Sequence, residues 1–203
     1  MAYIPLERCH DVTLEELREI VRDANGYIRR VYSHWTAGHY SQAYDDYHIC
    51  IDYDGKVYLT TEDMTERLAH TLGRNSCAIG ISMMCAYKAE ARNGYNAYFG
   101  PEPPTAIQIT ALSQVTAVLA QELDLPLDAE HFMTHYEAAC LDGYGVPYGT
   151  RVNGVFQGDP DSRWDLWYLP DPNSDGKLVP GGDLWRGIAN WYKNQWEQEG
   201  GNA

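Results

Sequence analysis

His34 stands in the run Tyr32-Ser33-His34-Trp35-Thr36-Ala37-Gly38, where a β-branched and aromatic stretch gives way to small residues. A histidine at the mouth of a strand is fixed by the sheet yet open to a ligand, which suits it to hold a metal. Three further histidine segments fall at predicted strand ends. Tyr47-His48 opens a hairpin, Ala69-His70-Thr71 precedes an apolar run, and Thr134-His135-Tyr136-Glu137 follows a short extended stretch. Arg163-Trp164-Asp165 lies beyond a long loop. A catalytic zinc takes three protein ligands from His, Asp, Glu or Cys and leaves its fourth position to water. Two histidines from separate strand ends plus one carboxylate meet that requirement. The candidates are spread over most of the chain, so spacing alone selects no trio.

Each candidate also has a plain structural reading. His48 follows Tyr47, and side chains alternate along a strand, so a groove-facing Tyr47 turns His48 into the core. His10, His39 and His131 read as surface or loop histidines. Glu137 is either an acceptor that orients a zinc-bound histidine or a carboxylate at a helix start. Trp164, Trp167 and Tyr168 are either packing residues or a platform for sugar rings, packing being the simpler reading.

The elements that must position these residues follow from periodicity. Thr13 and Glu16 make a capping-box pattern ahead of Leu14, Leu17, Ile20 and Val21, predicting a helix to Ala24 that Asn25-Gly26 ends. Residues 26–33 read as a strand. Residues 47–53 and 56–59 flank Asp54-Gly55 and form a hairpin. The apolar run 77–86, with Gly80 inside it, predicts a strand buried on both faces. Residues 93–104 read as a loop. Residues 105–123 form the strongest helix, with Ile109, Leu112, Val115, Thr116, Leu119 and Leu123 on one side. Residues 131–134 are short and extended, and 141–161, rich in glycine, read as a long irregular loop. Residues 183–197 form a C-terminal helix that packs through Trp185, Ile188, Trp191, Tyr192 and Trp196. Strands interspersed with helices give an α/β fold with a central mixed β-sheet flanked by helices.

The chain has 203 residues, which fits a single domain with a real core. We expect that domain to span 1–203, its core at about 28–170 and the C-terminal helix packed on it. A formal charge of −14 argues against nucleic acid, which needs clustered Lys and Arg. The cysteines Cys9, Cys50, Cys77, Cys85 and Cys140 are odd in number and irregularly spaced, as buried thiols rather than a disulfide framework would be. No run approaches the ~20 apolar residues of a membrane helix. The first residues lack a basic segment and an apolar run, so no signal peptide is expected.

Taken in order, the segments resemble the zinc-dependent N-acetylmuramoyl-L-alanine amidases, the family that includes peptidoglycan recognition proteins and amidase-type phage lysozymes. The resemblance rests on His34-Trp35-Thr36-Ala37; on Tyr47-His48-Ile49-Cys50-Ile51-Asp52-Tyr53-Asp54-Gly55-Lys56-Val57-Tyr58; on Ala69-His70-Thr71-Leu72-Gly73-Arg74-Asn75; and on Ala78-Ile79-Gly80-Ile81 and His135-Tyr136-Glu137. It implies the fold of that family, one Zn2+ per chain, and His34, His135 and Asp165 as its ligands. The chain departs from the family in that thirty positions separate His135 from Asp165, where members place the third ligand closer. An insertion across 141–161 accounts for this, with Cys140 as the rival ligand. It departs again after Ile-Gly-Ile, where many members carry a glutamate and this chain has Ser82. The phage-type enzymes lack that glutamate and depend on a tyrosine at the hairpin start, which Tyr47 matches.

The implied reaction is hydrolysis of the amide joining N-acetylmuramic acid to L-alanine of the peptidoglycan stem peptide. A metal-activated water attacks the carbonyl, Arg163 stabilises the oxyanion, and Tyr47 donates a hydrogen bond or relays a proton. His70 resembles the family's substrate-contacting histidine, with Asn75 nearby. The expected partner is peptidoglycan or a soluble muropeptide, without nucleic acid or membrane insertion. A phage or prophage endolysin, made in the cytoplasm and acting on the wall after release, fits best. The alternatives are a cytoplasmic muropeptide-recycling amidase and a non-catalytic peptidoglycan-binding module of the same fold.

Overall fold

The structure is a computed structural model that describes residues 2–92, 97–145, 150–152, 155–157 and 163–200. In chain order the elements are β1 (Tyr3–Ile4), β2 (His10–Val12), α1 (Leu14–Arg22), β3 (Arg30–Trp35), β4 (Ala43–Tyr44), β5 (Ile49–Ile51), β6 (Val57–Leu59), β7 (Ala78–Met83) and α2 (Ala106–Glu122). They continue with β8 (Phe132–Thr134), α3 (His135–Leu141), β9 (Thr150–Val152), β10 (Val155–Gln157), β11 (Tyr168–Pro170), β12 (Leu178–Pro180) and α4 (Gly181–Gly200).

Six strands make the central sheet in the order β2-β6-β5-β7-β3-β8. β2, β6 and β5 pair antiparallel; β5, β7, β3 and β8 pair parallel. The mixed sheet expected from the sequence is present, with helices packed on it. Its two faces differ. Val31, Ile49, Ile51, Ile79, Ile81 and Met83 join Ile109, Leu112, Val115 and Leu119 of α2 in the main core. The alternating positions Tyr32, His34, Cys50, Gly80 and Ser82 share the other face, as the registers His34↔Ser82, Tyr32↔Gly80 and Cys50↔Ser82 require. The run 77–86 is buried throughout its strand, as expected, but only one of its faces is apolar.

Helix starts follow the capping signals. Thr13 with Glu16, Thr105 with Gln108 and Thr134 with Glu137 each form a complete capping box. α2 differs from the one-sided helix expected: Ala111, Leu112, Val115, Ala117, Val118 and Leu119 are all buried. α1 and α4 flank it while the sheet lies beneath, so most of its circumference is covered and exposure is concentrated in its first turn, where Ile107 faces solvent. The strand read at 26–33 instead starts at Arg30 and runs to Trp35, because Gly26 has a positive φ of 80° in a turn. His34 therefore lies inside the strand rather than beyond it. α3 and the edge strand β2 carry too few residues to show a period. Within 141–161, residues 150–152 and 155–157 pair as an antiparallel hairpin; 146–149, 153–154 and 158–162 lie outside the described residues, as do 93–96 of the loop read at 93–104. α4 buries Trp185 completely and packs Ile188 and Trp196 on the core, but Trp191 is 56% exposed, against the reading that placed it on the packed face. No helix of the described residues is long and apolar enough to cross a membrane.

Candidate metal centre

Parallel pairing sets the site. β3 and β8 are neighbours with Ser33 opposite Thr134, so His34, next to last in β3, and His135, just past β8, lie side by side at the carboxyl ends of adjacent strands. This is the edge where ligands of open α/β sheets bind. Thr134 ends β8 and caps α3, which places His135 at the first helical position. Asp165 comes from beyond the long loop and is tied in by the Tyr136 N–H, which donates to its carbonyl at 3.2 Å. Leu166 follows in the left-handed region at φ 59°, an unusual conformation for a branched residue, and turns the chain away from the site.

The three side chains converge. His34 Nδ1 lies 3.0 Å from His135 Nδ1 and 3.4 Å from Asp165 Oδ2, and His135 Nδ1 lies 3.2 Å from the same oxygen. Ligands about 2.0–2.1 Å from a tetrahedral zinc are about 3.3 Å apart, the size of this triangle. Two ring nitrogens and a carboxylate oxygen converging this closely are a donor set that a single cation satisfies at once. Among the described residues this is the group able to hold a metal, and Cys140 is not part of it. Burial raises the Cys140 thiol, which makes thiolate less available still.

The electrostatics agree. Burial pushes the His34 imidazole down to about 4, helped by His135 and opposed by the hydrogen bond to Asp165. Burial alone raises the Asp165 carboxyl, but hydrogen bonds from His135 and His34 outweigh it and hold the group well below the ordinary carboxylate range. Neutral imidazole beside ionised carboxylate is the protonation state that metal binding needs.

The surrounding shell fixes the tautomers. His34 Nε2 lies 3.3 Å from Thr71 Oγ1, so that with Nδ1 committed to a metal its Nε2–H would donate to that hydroxyl. That hydroxyl in turn lies 2.9 Å from His70 Nδ1, and Asn75 Oδ1 holds the Thr71 N–H at 2.7 Å. Thr71 was missed as a functional residue because a lone threonine beside a histidine carries no pattern of its own. Burial, with His34 and His48 nearby, pushes His70 down to about 2, so it is neutral. Gly80 makes room for it: a Cβ there would lie 2.6 Å from His70 Cγ. His48 accepts from the Gly80 N–H at 3.1 Å and donates to the Glu66 carbonyl at 2.9 Å, a satisfied structural role. Glu137 bonds to the Thr134 N–H rather than to the His135 ring, so of its two readings the helix start holds.

A cleft of about 840 Å³ opens over the triangle, lined among others by Tyr47, His70, Asn75, His135, Tyr144, Arg163, Trp164 and Asp165. All seven residues singled out by sequence thus meet in one place, with His34 buried at its floor. The Tyr47 ring lies 5.0 Å from that of His34, and burial keeps its phenol well above its ordinary pKa, hence protonated. Tyr47 precedes β5, so strict alternation does not reach it, and its ring and that of His48 both approach the histidine cluster. His10 and His39 are exposed and His131 is partly so, each beside a carboxylate. Trp164 packs edge-on to Trp35 while also lining the cleft, and Trp167 stacks on Tyr136.

Comparison with known proteins finds three solved structures with low similarity to this chain. The Clostridium intestinale endolysin N-acetylmuramoyl-L-alanine amidase LysCS has 18% identity over 57% of this chain and 73% of its own, with a TM-score of 0.41. The amidase LysC from the same organism has 18% identity, coverages of 57% and 74%, and a TM-score of 0.40. Drosophila peptidoglycan recognition protein SA has 19%, 54% and 68%, and 0.39. No curated protein matches. The sequence model of N-acetylmuramoyl-L-alanine amidases matches residues 24–147, more than half of the chain and inclusive of His34, Tyr47, His70 and His135, and the chain belongs to that family.

Proposed function

We propose that the chain is a zinc-dependent N-acetylmuramoyl-L-alanine amidase, hydrolysing the amide between N-acetylmuramic acid and L-alanine of the peptidoglycan stem peptide. The observation that carries this reading is the His34–His135–Asp165 triangle, sized for zinc, at the floor of a cleft in a member of this family. Residues 1–203 are read as one amidase domain, since α4 packs on α2. His34, His135 and Asp165 would hold one Zn2+, which would supply a water of pKa lowered towards 7 and Lewis-acid polarisation of an amide carbonyl.

The chain's own residues then do the following. His34 and His135 present Nδ1, and Thr71 holds the His34 ring in that tautomer. Tyr47, kept protonated by burial, donates a hydrogen bond to the carbonyl oxygen as charge builds on it. Arg163 adds a fixed positive charge on the cleft wall and serves electrostatically, because a guanidinium does not give up its proton near neutrality. Asn75 spends its carbonyl on Thr71, which leaves its amide hydrogens for a substrate acceptor, and neutral His70 offers a further contact. The partner in this reading is peptidoglycan or a muropeptide, reached by a phage or prophage endolysin after release into the wall.

The test is release of L-alanine amino termini from intact cell walls and from a soluble muramyl peptide, with and without a chelator. Zinc near one equivalent with chelator-sensitive release on both substrates supports the reading. A full zinc complement with binding to walls but no new amino termini would favour a binding module. Cleavage confined to the soluble muropeptide would favour a recycling amidase.

A further inference from the structure

α4 lies outside the family match, yet its first residues touch the segments that carry two of the three metal ligands. Arg186 is buried, at 8% exposure, and forks onto Glu137 with Nη1 to Oε2 at 2.8 Å and Nη2 to Oε1 at 2.7 Å. Its Nη1 also donates to the Phe132 carbonyl at 3.0 Å. Phe132 lies in β8 and Glu137 in α3, so one guanidinium grips the chain on both sides of His135. The same Glu137 closes the capping box that starts α3 at His135. On the other side, the Gly181 N–H donates to the Trp167 carbonyl at 3.0 Å, two residues after Asp165. The approach is too close for any side chain: a Cβ on Gly181 would collide with the Leu166 carbonyl oxygen, and one on Gly182 with Glu137 Oε1.

A partly buried ion pair is weak as a source of net stability, because desolvation and solvent screening offset much of the attraction. Its geometry is another matter. A bidentate fork fixes both direction and distance. We propose that residues 181–186 form a clamp that sets the separation of His135 from Asp165, making Arg186 and Gly182 positioning residues for the metal. The inference rests on the metal reading above. The ligand atoms are within a few tenths of an ångström of a zinc-sized triangle, and small shifts of either segment spoil it.

The experiment measures the zinc dissociation constant of the full-length chain by chelator competition, beside thermal unfolding of the metal-free protein. The variants are Arg186→Met, Arg186→Lys, Gly182→Ala and, as a control in the same helix, Trp185→Phe. Trp185 sits in the same turn, but its side chain donates to Thr116 Oγ1 of α2 at 2.7 Å, rests edge-on against the Phe132 ring, and takes no part in the hydrogen bonds that hold Glu137, the Phe132 carbonyl or the Trp167 carbonyl. Arg186→Met and Gly182→Ala are expected to weaken zinc binding by about tenfold to a hundredfold, the range for residues that support metal ligands. Arg186→Lys, which keeps the charge and loses the fork, should fall between them and the unaltered chain. Trp185→Phe should lower the unfolding temperature and leave zinc affinity unchanged. In cobalt-loaded Arg186→Lys the visible bands should shift, reporting altered ligand geometry, and in Trp185→Phe they should not. Unaltered zinc affinity in folded Gly182→Ala and Arg186→Lys overturns the clamp, even if Arg186→Met does not fold. Absence of zinc binding in the unaltered chain overturns the metal reading itself and the clamp with it.

Discussion

The two faces of the central sheet are buried to a similar degree and held by different physics. On the α2 face, Val31, Ile49, Ile51, Ile79, Ile81 and Met83 meet aliphatic side chains, and close packing supplies the cohesion. On the opposite face, Tyr32, His34, Cys50, Gly80 and Ser82 lie under His70, Tyr47 and Asp165, which arrive from loops. Buried polar groups need partners, and here many partners are other polar side chains. Burial alone therefore does not separate core from site in this molecule; the chemistry of what covers each strand residue does.

The largest break in that contrast comes from removing a ligand. His34→Ala, His135→Ala and Asp165→Ala should each leave the polar face without a metal, with zinc falling below about a tenth of an equivalent and activity to background. Cys140→Ser should retain zinc, since its sulfur is outside the triangle. Elemental analysis of the purified variants checks both. Tyr47→Phe comes next. It removes one hydroxyl over the triangle and keeps the ring, so zinc should stay and turnover should drop by about a hundredfold. Unchanged turnover would take Tyr47 out of the mechanism.

The same contrast explains what could be read from the sequence. The apolar face announces itself, because Ile79, Ile81 and Met83 alternate along β7 and α2 is rich in aliphatic residues. The ordered motifs carry the fold class and bring His34, His135 and Asp165 into view. Three things stay hidden. β2 and α3 are too short for periodicity. Thr71 acts only through its neighbours. The clamp by Arg186 joins residues 49 positions apart through geometry that no local pattern encodes. Trp191 shows the converse failure: near-helical spacing placed it on a buried face, but α4 is packed on one side only and turns it outward. The thirty-position gap before Asp165 closes because Tyr136 pairs with the Asp165 carbonyl, a backbone contact invisible in residue types.

Ile81 and Ser82 are neighbours in β7 that face opposite ways, so they sharpen the comparison within one strand. Ile81→Ala leaves a hole against α2 and should cost about 3 kcal/mol of folding stability while zinc affinity is kept. Ser82→Ala removes a hydroxyl beside Tyr47 and should cost less than about 1 kcal/mol, with its effect on turnover instead. Urea unfolding and zinc titration of the pair measure the split. Equal losses of stability would mean that both faces are held by packing.

The smallest effect belongs to an ion pair at the rim of the polar face. Arg74 Nε and Nη2 donate to Asp142 at 2.6 and 2.7 Å, joining the loop of His70 and Asn75 to the end of α3. These hydrogen bonds hold the Asp142 carboxyl below its ordinary value. A depressed carboxylate stabilises the fold fully above its unfolded pKa of about 3.9, and that contribution disappears as pH falls through the lower folded value. Both side chains remain between a fifth and about a third exposed, so solvent and salt reduce the interaction to under about 1 kcal/mol. Unfolding curves of the unaltered chain and Asp142→Asn should thus differ slightly near neutrality, differ less in high salt, and draw together from about pH 4 downward. A gap that persisted into strong acid would show that the contact acts by packing rather than by charge, and would bring this rim closer in kind to the α2 face.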